Sequence, residues 1–252
     1  MKDTPLSLSA LVAGLLLAAI AALAGCEGTE TGNPFQVELR ADAHSSDPGA
    51  VAVGEGGAVV VTEAWLALDP IRWAPTFDCV GTVASDSADL GTADHAAAGA
   101  VLETFEIVEG GYCKAVVPFV PAAAPLPEGA PDELEGSSIV IRGEVTATGT
   151  PFLLVSKLEG SIDVRSPEVG FALAPDEPAL FLGFDVATWF GAVDLAGAEL
   201  DGDGVAVIDE GSNADLLSAF ERDLPAGIEL YRDLDRDGSV DAPEDELLAR
   251  GE

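Results

Sequence analysis

Between residues 35 and 184 the chain is a series of short segments in which apolar and polar residues alternate, cut at close intervals by Gly, Pro, Asn, Asp or Ser. Residues 35–40 read FQVELR and residues 58–68 read AVVVTEAWLAL, in which Ala64, Leu66 and Leu68 alternate with Glu63, Trp65 and Ala67. A period of two puts one set of side chains on each face of a strand, so every such segment needs a partner sheet for its apolar face. The pattern recurs at 71–77, 101–108, 112–120, 139–147, 152–157, 160–165, 170–173 and 179–184. Roughly nine short strands with turn signals between them, and no long helix, predict a mainly β fold built as an antiparallel β-sandwich over residues 35–184. Residues 121–138, with four prolines and several acids, read as an exposed loop.

Past residue 184 the period changes. Residues 185–195 (DVATWFGAVDL) begin with an Asp suited to an N-cap and set Val186, Trp189, Phe190 and Val193 on one helical face. Residues 213–224 begin with Asn213, carry Leu216, Leu217 and Phe220 at helical spacing, and stop at Pro225. The expected layout is therefore a sandwich followed by a small C-terminal helical appendage, residues 185–252.

The appendage contains a twelve-residue stretch, 233–244, that reads DLDRDGSVDAPE. Asp233, Asp235 and Asp237 place carboxylates at alternate positions, Gly238 supplies a sharp turn, Ser239 offers a carbonyl, Asp241 can hold a water, and Glu244 closes the loop. Carboxylates this close repel one another unless a cation sits among them. The order resembles an EF-hand calcium loop of the dockerin-like or extracellular kind. The resemblance implies bound calcium (Ca2+) in a stabilising rather than a sensing role, and a short exit helix over 243–250. It departs from the family on the entering side, where Pro225 and Gly227 interrupt the helix that should run into Asp233. The alternative reading is a solvated acidic turn. A weaker match spans 199–210, with Glu199, Asp201, Asp203 and Glu210 at ligand places and Gly204 at the turn. Here Val207 stands where an oxygen is wanted, and residues 205–207 could equally form a small strand after a Gly-Asp-Gly turn.

Residues 6–24 are almost wholly apolar and end in Leu23-Ala24-Gly25-Cys26. Small residues before a cysteine resemble the lipobox of bacterial lipoproteins. The resemblance implies a signal peptide over residues 1–25, lipidation of Cys26, a tether over 26–34, and anchoring in the cell envelope, with Glu27 favouring the outer membrane or cell surface. The alternative is one transmembrane helix. If Cys26 carries lipid, Cys79 and Cys113 remain as an even pair in an oxidising compartment, which points to a disulfide over two buried thiols.

The net charge of −34, from 45 acidic against 11 basic residues, excludes nucleic acid as a partner, because there is no basic cluster to neutralise phosphate. His44 and His95 lie in Ala- and Ser-rich surroundings and read as solvated loop residues. No nucleophile elbow, zinc-protease helix or phosphate loop is present. Trp65 and Trp73 fit either packing or a sugar platform. Two functional classes follow. One is a non-enzymatic adhesion, scaffold or binding module with a protein or carbohydrate partner. The other is a carbohydrate-active or other hydrolase working through paired carboxylates.

Overall fold

A computed structural model describes residues 32–54, 56–76, 79, 87–96, 101–176, 179–235, 239–240 and 244–252. The expected signal segment, Cys26, Asp237, Gly238 and Asp241 lie outside these residues.

The fold is mainly β, in two sheets. The larger sheet runs β5 (Ser87–Ala88), β4 (Ile71–Pro75), β8 (Gly110–Phe119), β11 (Gly160–Arg165), β16 (Glu246–Gly251), β15 (Ile228–Arg232), β13 (Leu180–Asp185), β1 (Pro34–His44) and β7 (Val101–Val108), and β12 (Phe171–Leu173) pairs with β8. The smaller sheet runs β14 (Ala206–Ile208), β10 (Thr150–Ser156), β9 (Ile139–Val145), β3 (Val59–Ala67) and β2 (Val51–Val53), and β6 (Thr92–Asp94) pairs with β3. Both sheets are mixed, which corrects the purely antiparallel expectation: β1 runs parallel to β13, β10 to β14 and β2 to β3. Long crossings join the members of the first two pairs, as parallel neighbours usually require, whereas only residues 54–58 separate β2 from β3.

Burial follows the alternation. Along β1, Val37, Leu39, Ala41 and Ala43 are buried, while Gln36 and Glu38 on the opposite face are exposed. One hydrophobic cluster joins these residues to Val61, Ala64 and Leu66 of β3, Ile139 and Ile141 of β9, and Phe152 and Leu154 of β10, so the two sheets share a core. β13 is buried at every position, as a central strand flanked on both sides must be. The outer face of the smaller sheet has its own cover. Trp65, Ala67 and Val140 pack with Ala122 and Leu134, so the proline-rich segment lies against the sheet instead of standing free.

Among the described residues there are two α-helices, which pack on each other. In α1 (Val186–Phe190) the Asp185 side chain accepts from the Ala187 N–H, as an N-cap should. The helix is shorter than the sequence suggested. α2 (Ala214–Asp223) follows Asn213, whose side chain makes no cap bond; the residue sits at φ +52° and is used elsewhere. Trp189, Phe190 and Phe220 pack ring against ring with Phe152 and Phe184. The Trp189 Nε1–H donates to the Leu224 carbonyl at 3.1 Å. Gly227 is required there, since a Cβ would lie 2.5 Å from Trp189 Cδ1.

Asn33–Glu252 form one compact unit, so the C-terminal residues are not an appendage. β15 and β16 lie inside the larger sheet, between β13 and β11. The reason is the apolar content of the last strands: Ile228, Leu230, Leu248 and Ala249 are all buried in the shared core.

Candidate metal centre

The acidic stretch 233–244 joins two antiparallel strands instead of two helices. The last register pair before it is Arg232 with Glu246, whose side chains also form an ion pair. One step further out lie Asp233 and Asp245, 3% and 8% exposed, at the mouth of the hairpin. The Asp233 N–H donates to the Ala179 carbonyl at 2.9 Å, pinning the loop to the start of β13. Asp245 Oδ1 accepts from the Leu234 N–H at 3.2 Å.

Oxygens of Asp233, Asp235 and Asp245 all lie within 4.8 Å of one another. Calcium binds oxygens at about 2.3–2.6 Å, so two ligands on opposite sides of one ion stand about 5 Å apart. The spacing of the three carboxylates fits a shared cation of that size, and the all-oxygen donor set suits a hard one.

This arrangement differs from the sequence reading in the segments that flank the loop. The entering segment is β15 and the exit segment is β16, so neither helix of an EF-hand is present. The alternation of buried residues overrode the helical propensity of residues 245–250. Glu244 is exposed and is not in the group of three; Asp245 takes its place. Counting outward from a strand register would have found Asp245. Ser239 is exposed in the described part of the loop.

The weaker loop folds as the alternative strand. Asp201 spends its Oδ1 on the Asp203 and Val205 N–H groups, both at 2.9 Å, closing a tight turn around Gly204 at φ +82°. Residues 206–208 form β14, parallel to β10. Glu210 lies 3.4 Å from Lys157 Nζ, and among the described residues none of Glu199, Asp201, Asp203 or Glu210 joins a cluster of three ligands. Asn213 holds this segment shut. Its Nδ2 donates to the carbonyls of Glu199 (2.9 Å) and Val207 (2.7 Å), and its Oδ1 accepts from the Glu199 N–H at 2.8 Å.

Both histidines are inside the fold, against the sequence expectation. His44 ends β1, and its Nε2 lies 3.4 Å from Glu229 Oε2, an ion-pair distance. Gly183 makes room for the ring, since a Cβ there would sit 2.9 Å from that nitrogen. Glu229 also accepts from the Tyr231 hydroxyl at 2.6 Å and from Arg250 Nε at 2.8 Å. Burial works to raise its pKa, but the His44 and Tyr231 side chains and the Arg250 charge outweigh burial and hold it below the ordinary value. Asp185 is likewise held low: the Ser46 and Thr188 hydroxyls and the Ser46 N–H overcome its desolvation. These groups meet across β1, β13, β15 and β16, with His44 Nε2 near Glu229 but making no hydrogen bond. Their alternation was legible in the sequence, but their meeting was not.

His95 is 1% exposed. Its N–H donates to the Ala64 carbonyl at 2.9 Å and its carbonyl accepts from the Ala43 N–H at 2.7 Å, so this residue ties β3 of one sheet to β1 of the other. Its Nδ1 lies 3.4 Å from the Ala41 carbonyl, and its ring meets Phe184 edge-on at 5.1 Å. Burial pushes its pKa down to about 4, against the smaller raising effects of the Ala41 carbonyl and the Asp94 charge.

The expected cysteine pair is joined: Cys79 and Cys113 form a disulfide with their Cα atoms 5.8 Å apart. Trp65, Trp73 and Trp189 are buried, and Trp73 stacks on Phe105 at 5.6 Å. The packing reading of the tryptophans therefore stands over a sugar platform. Among the described residues no helix is long and apolar enough to cross a membrane.

The chain matches no protein-family model, no curated protein and no solved structure at the thresholds of comparison.

Proposed function

We propose that this chain is a lipid-anchored protein of the bacterial cell envelope, a non-enzymatic scaffold or binding module whose two mixed sheets form a sandwich. Its C-terminal hairpin is clasped by a calcium ion. The observation that carries the metal part is the convergence of the Asp233, Asp235 and Asp245 oxygens within 4.8 Å, two of the three carboxylates being buried. Like charges gathered this closely raise the energy of the cation-free loop, and a cation removes that repulsion. The anchor rests on the Leu-Ala-Gly-Cys ending of the apolar segment at Cys26. Anchoring would place the chain outside the cytoplasm, where millimolar calcium suits weak extracellular loops. It is also where the Cys79–Cys113 disulfide would persist.

The test is calorimetric titration of the purified full chain with calcium after exhaustive chelation, alongside thermal melts. With millimolar calcium and a Kd near 0.1 mM, binding to the folded form alone adds about 1–2 kcal/mol. Because β15 and β16 are interior strands, chelation should lower the melting temperature of the whole domain. Asp245→Asn should weaken binding more than Glu244→Gln, reversing the order that a helix-flanked loop requires. Absence of binding heat and of any melting shift with calcium would refute the metal reading, and the loop would then be a solvated acidic turn.

A further inference from the structure

An open cleft of about 540 Å³ lies where β4 begins, β8 ends and β11 begins, lined in part by Asp69, Arg72, Pro118, Phe119, Glu159 and Ser161. Its frame is held by backbone bonds. β4 and β11 both pair with β8, the Asp69 N–H donates to the Pro118 carbonyl at 3.1 Å, and Leu68 bridges to Phe119. Arg72 reaches towards β11, where its Nη2 donates a long hydrogen bond of 3.4 Å to Ser161 Oγ. Its Nε is buried with no acceptor.

Arg72 differs in its electrostatics from seven other basic side chains. Lys114, Arg142, Lys157, Arg165, Arg222, Arg232 and Arg250 each have a carboxylate oxygen within ion-pair distance. Arg72 has none among the described residues, in a chain with 45 acidic side chains. The cause is visible in the register. Arg72 stands opposite Val116, and Val116 opposite Asp163, but Asp163 is already taken by Lys114 at 2.9 Å and Arg165 at 2.6 Å. The buried Nε donor is therefore unspent, and a buried donor left without an acceptor destabilises the fold unless a ligand supplies one. In the same lining, Asp69 and Glu159 are exposed and likewise have no ion-pair partner among the described residues. One cation and two carboxylates thus line one cleft, none of them neutralised by another charged side chain among the described residues.

We infer that the cleft binds a compact zwitterion of the amino-acid class, its carboxylate on Arg72 and Ser161 and its ammonium on Asp69 and Glu159. Guanidinium and carboxylate make the strongest of the ordinary charged hydrogen bonds, which fits the carboxylate end to Arg72. A simple anion would be repelled by the field of a chain carrying −34, whereas a molecule of zero or positive net charge is not. Lysine, with one carboxylate and two ammonium groups, matches the charges around the cleft one for one. This assignment stands independently of the metal and the anchor.

Saturation-transfer NMR on the purified full chain, with lysine, acetate and butylamine as separate probes, tests it. Lysine should give a saturable signal, with acetate and butylamine at least tenfold weaker. Arg72→Met, which keeps the apolar stem, should weaken lysine binding tenfold or more. The double substitution of Asp69→Asn and Glu159→Gln should do the same; both side chains are exposed, so this variant folds even where Arg72→Met does not. No saturable lysine signal, acetate binding as tightly as lysine, or unchanged lysine binding in the rim variant would overturn the inference.

Discussion

His95→Gln should remove a large part of the acid sensitivity of this protein. The histidine is buried between the two sheets, and its pKa falls from 6.5 to about 4 because the charged ring is desolvated. The unfolded chain takes up a proton at this residue near pH 6.5, and the folded chain does not until about pH 4. Below 6.5 the unfolded state therefore binds more protons, and stability must fall as the pH falls. The loss accumulates between about 6.5 and 4 and then levels off. At about 1.4 kcal/mol per pH unit it comes to roughly 3 kcal/mol. For a domain of this size that is a drop in melting temperature on the order of 6–12 °C. Other groups act in different windows or with the opposite sign. Asp42, raised mainly by burial, acts with the opposite sign: the fold gains stability as this group protonates above the ordinary aspartate value. Asp163, Asp185 and Glu229 are held low, so they lose their contribution only as the pH falls below the ordinary carboxylate range. The comparison between wild type and variant cancels these terms. Urea unfolding followed by tryptophan fluorescence, in steps from about pH 7 to pH 4, gives both slopes. The wild type should lose about 3 kcal/mol more than His95→Gln over this range. Parallel curves for the two proteins would show that the ring is charged or solvated in the fold, contrary to its burial.

Asn213→Ala should cost roughly 2–3 kcal/mol in a thermal melt, because it removes three hydrogen bonds and leaves a left-handed backbone position to a residue that disfavours it; Asn213→Gly should relieve only the backbone part. Reduction of Cys79–Cys113, or its replacement by two serines, should lower stability by about 3–4 kcal/mol for a loop of this length, measured by denaturant unfolding with and without reductant. Cys26→Ala, expressed in a bacterial host, should give a chain that retains its first 25 residues and incorporates no labelled fatty acid; normal processing in that variant would dismiss the lipid anchor.

How far the sequence could be read depended on the range of the interactions involved. The period-two segments announced strands because alternation is a local property, and the elements from β7 to β13 stand close to where the pattern put them. The cysteine pair followed from compartment and count. The acidic stretch at 233–244 showed its oxygen donors by spacing alone, and two of its expected ligands, Asp233 and Asp235, do converge.

What local pattern could not supply was the partner of each segment. Residues 245–250 have good helix formers, yet they become β16 because an open slot between β15 and β11 buries Leu248 and Ala249 on strand geometry. That single choice put the last strand in the middle of a sheet and brought Asp245 beside Asp233 and Asp235. His44 and His95 were misread for the same reason. Their neighbours in sequence are small and polar, while their neighbours in space are Tyr231, Glu229 and Phe184. Arg72 escaped notice as one arginine among several, and only the register of β4, β8 and β11 shows that Asp163, two strands away, is already engaged by Lys114 and Arg165. The sequence by itself determined the class of fold and the chemistry of the loop, since both follow from contacts a few residues apart. The tertiary structure decided which strands meet, which charges are left without a countercharge and which histidine is cut off from water, since each depends on segments far apart in the chain.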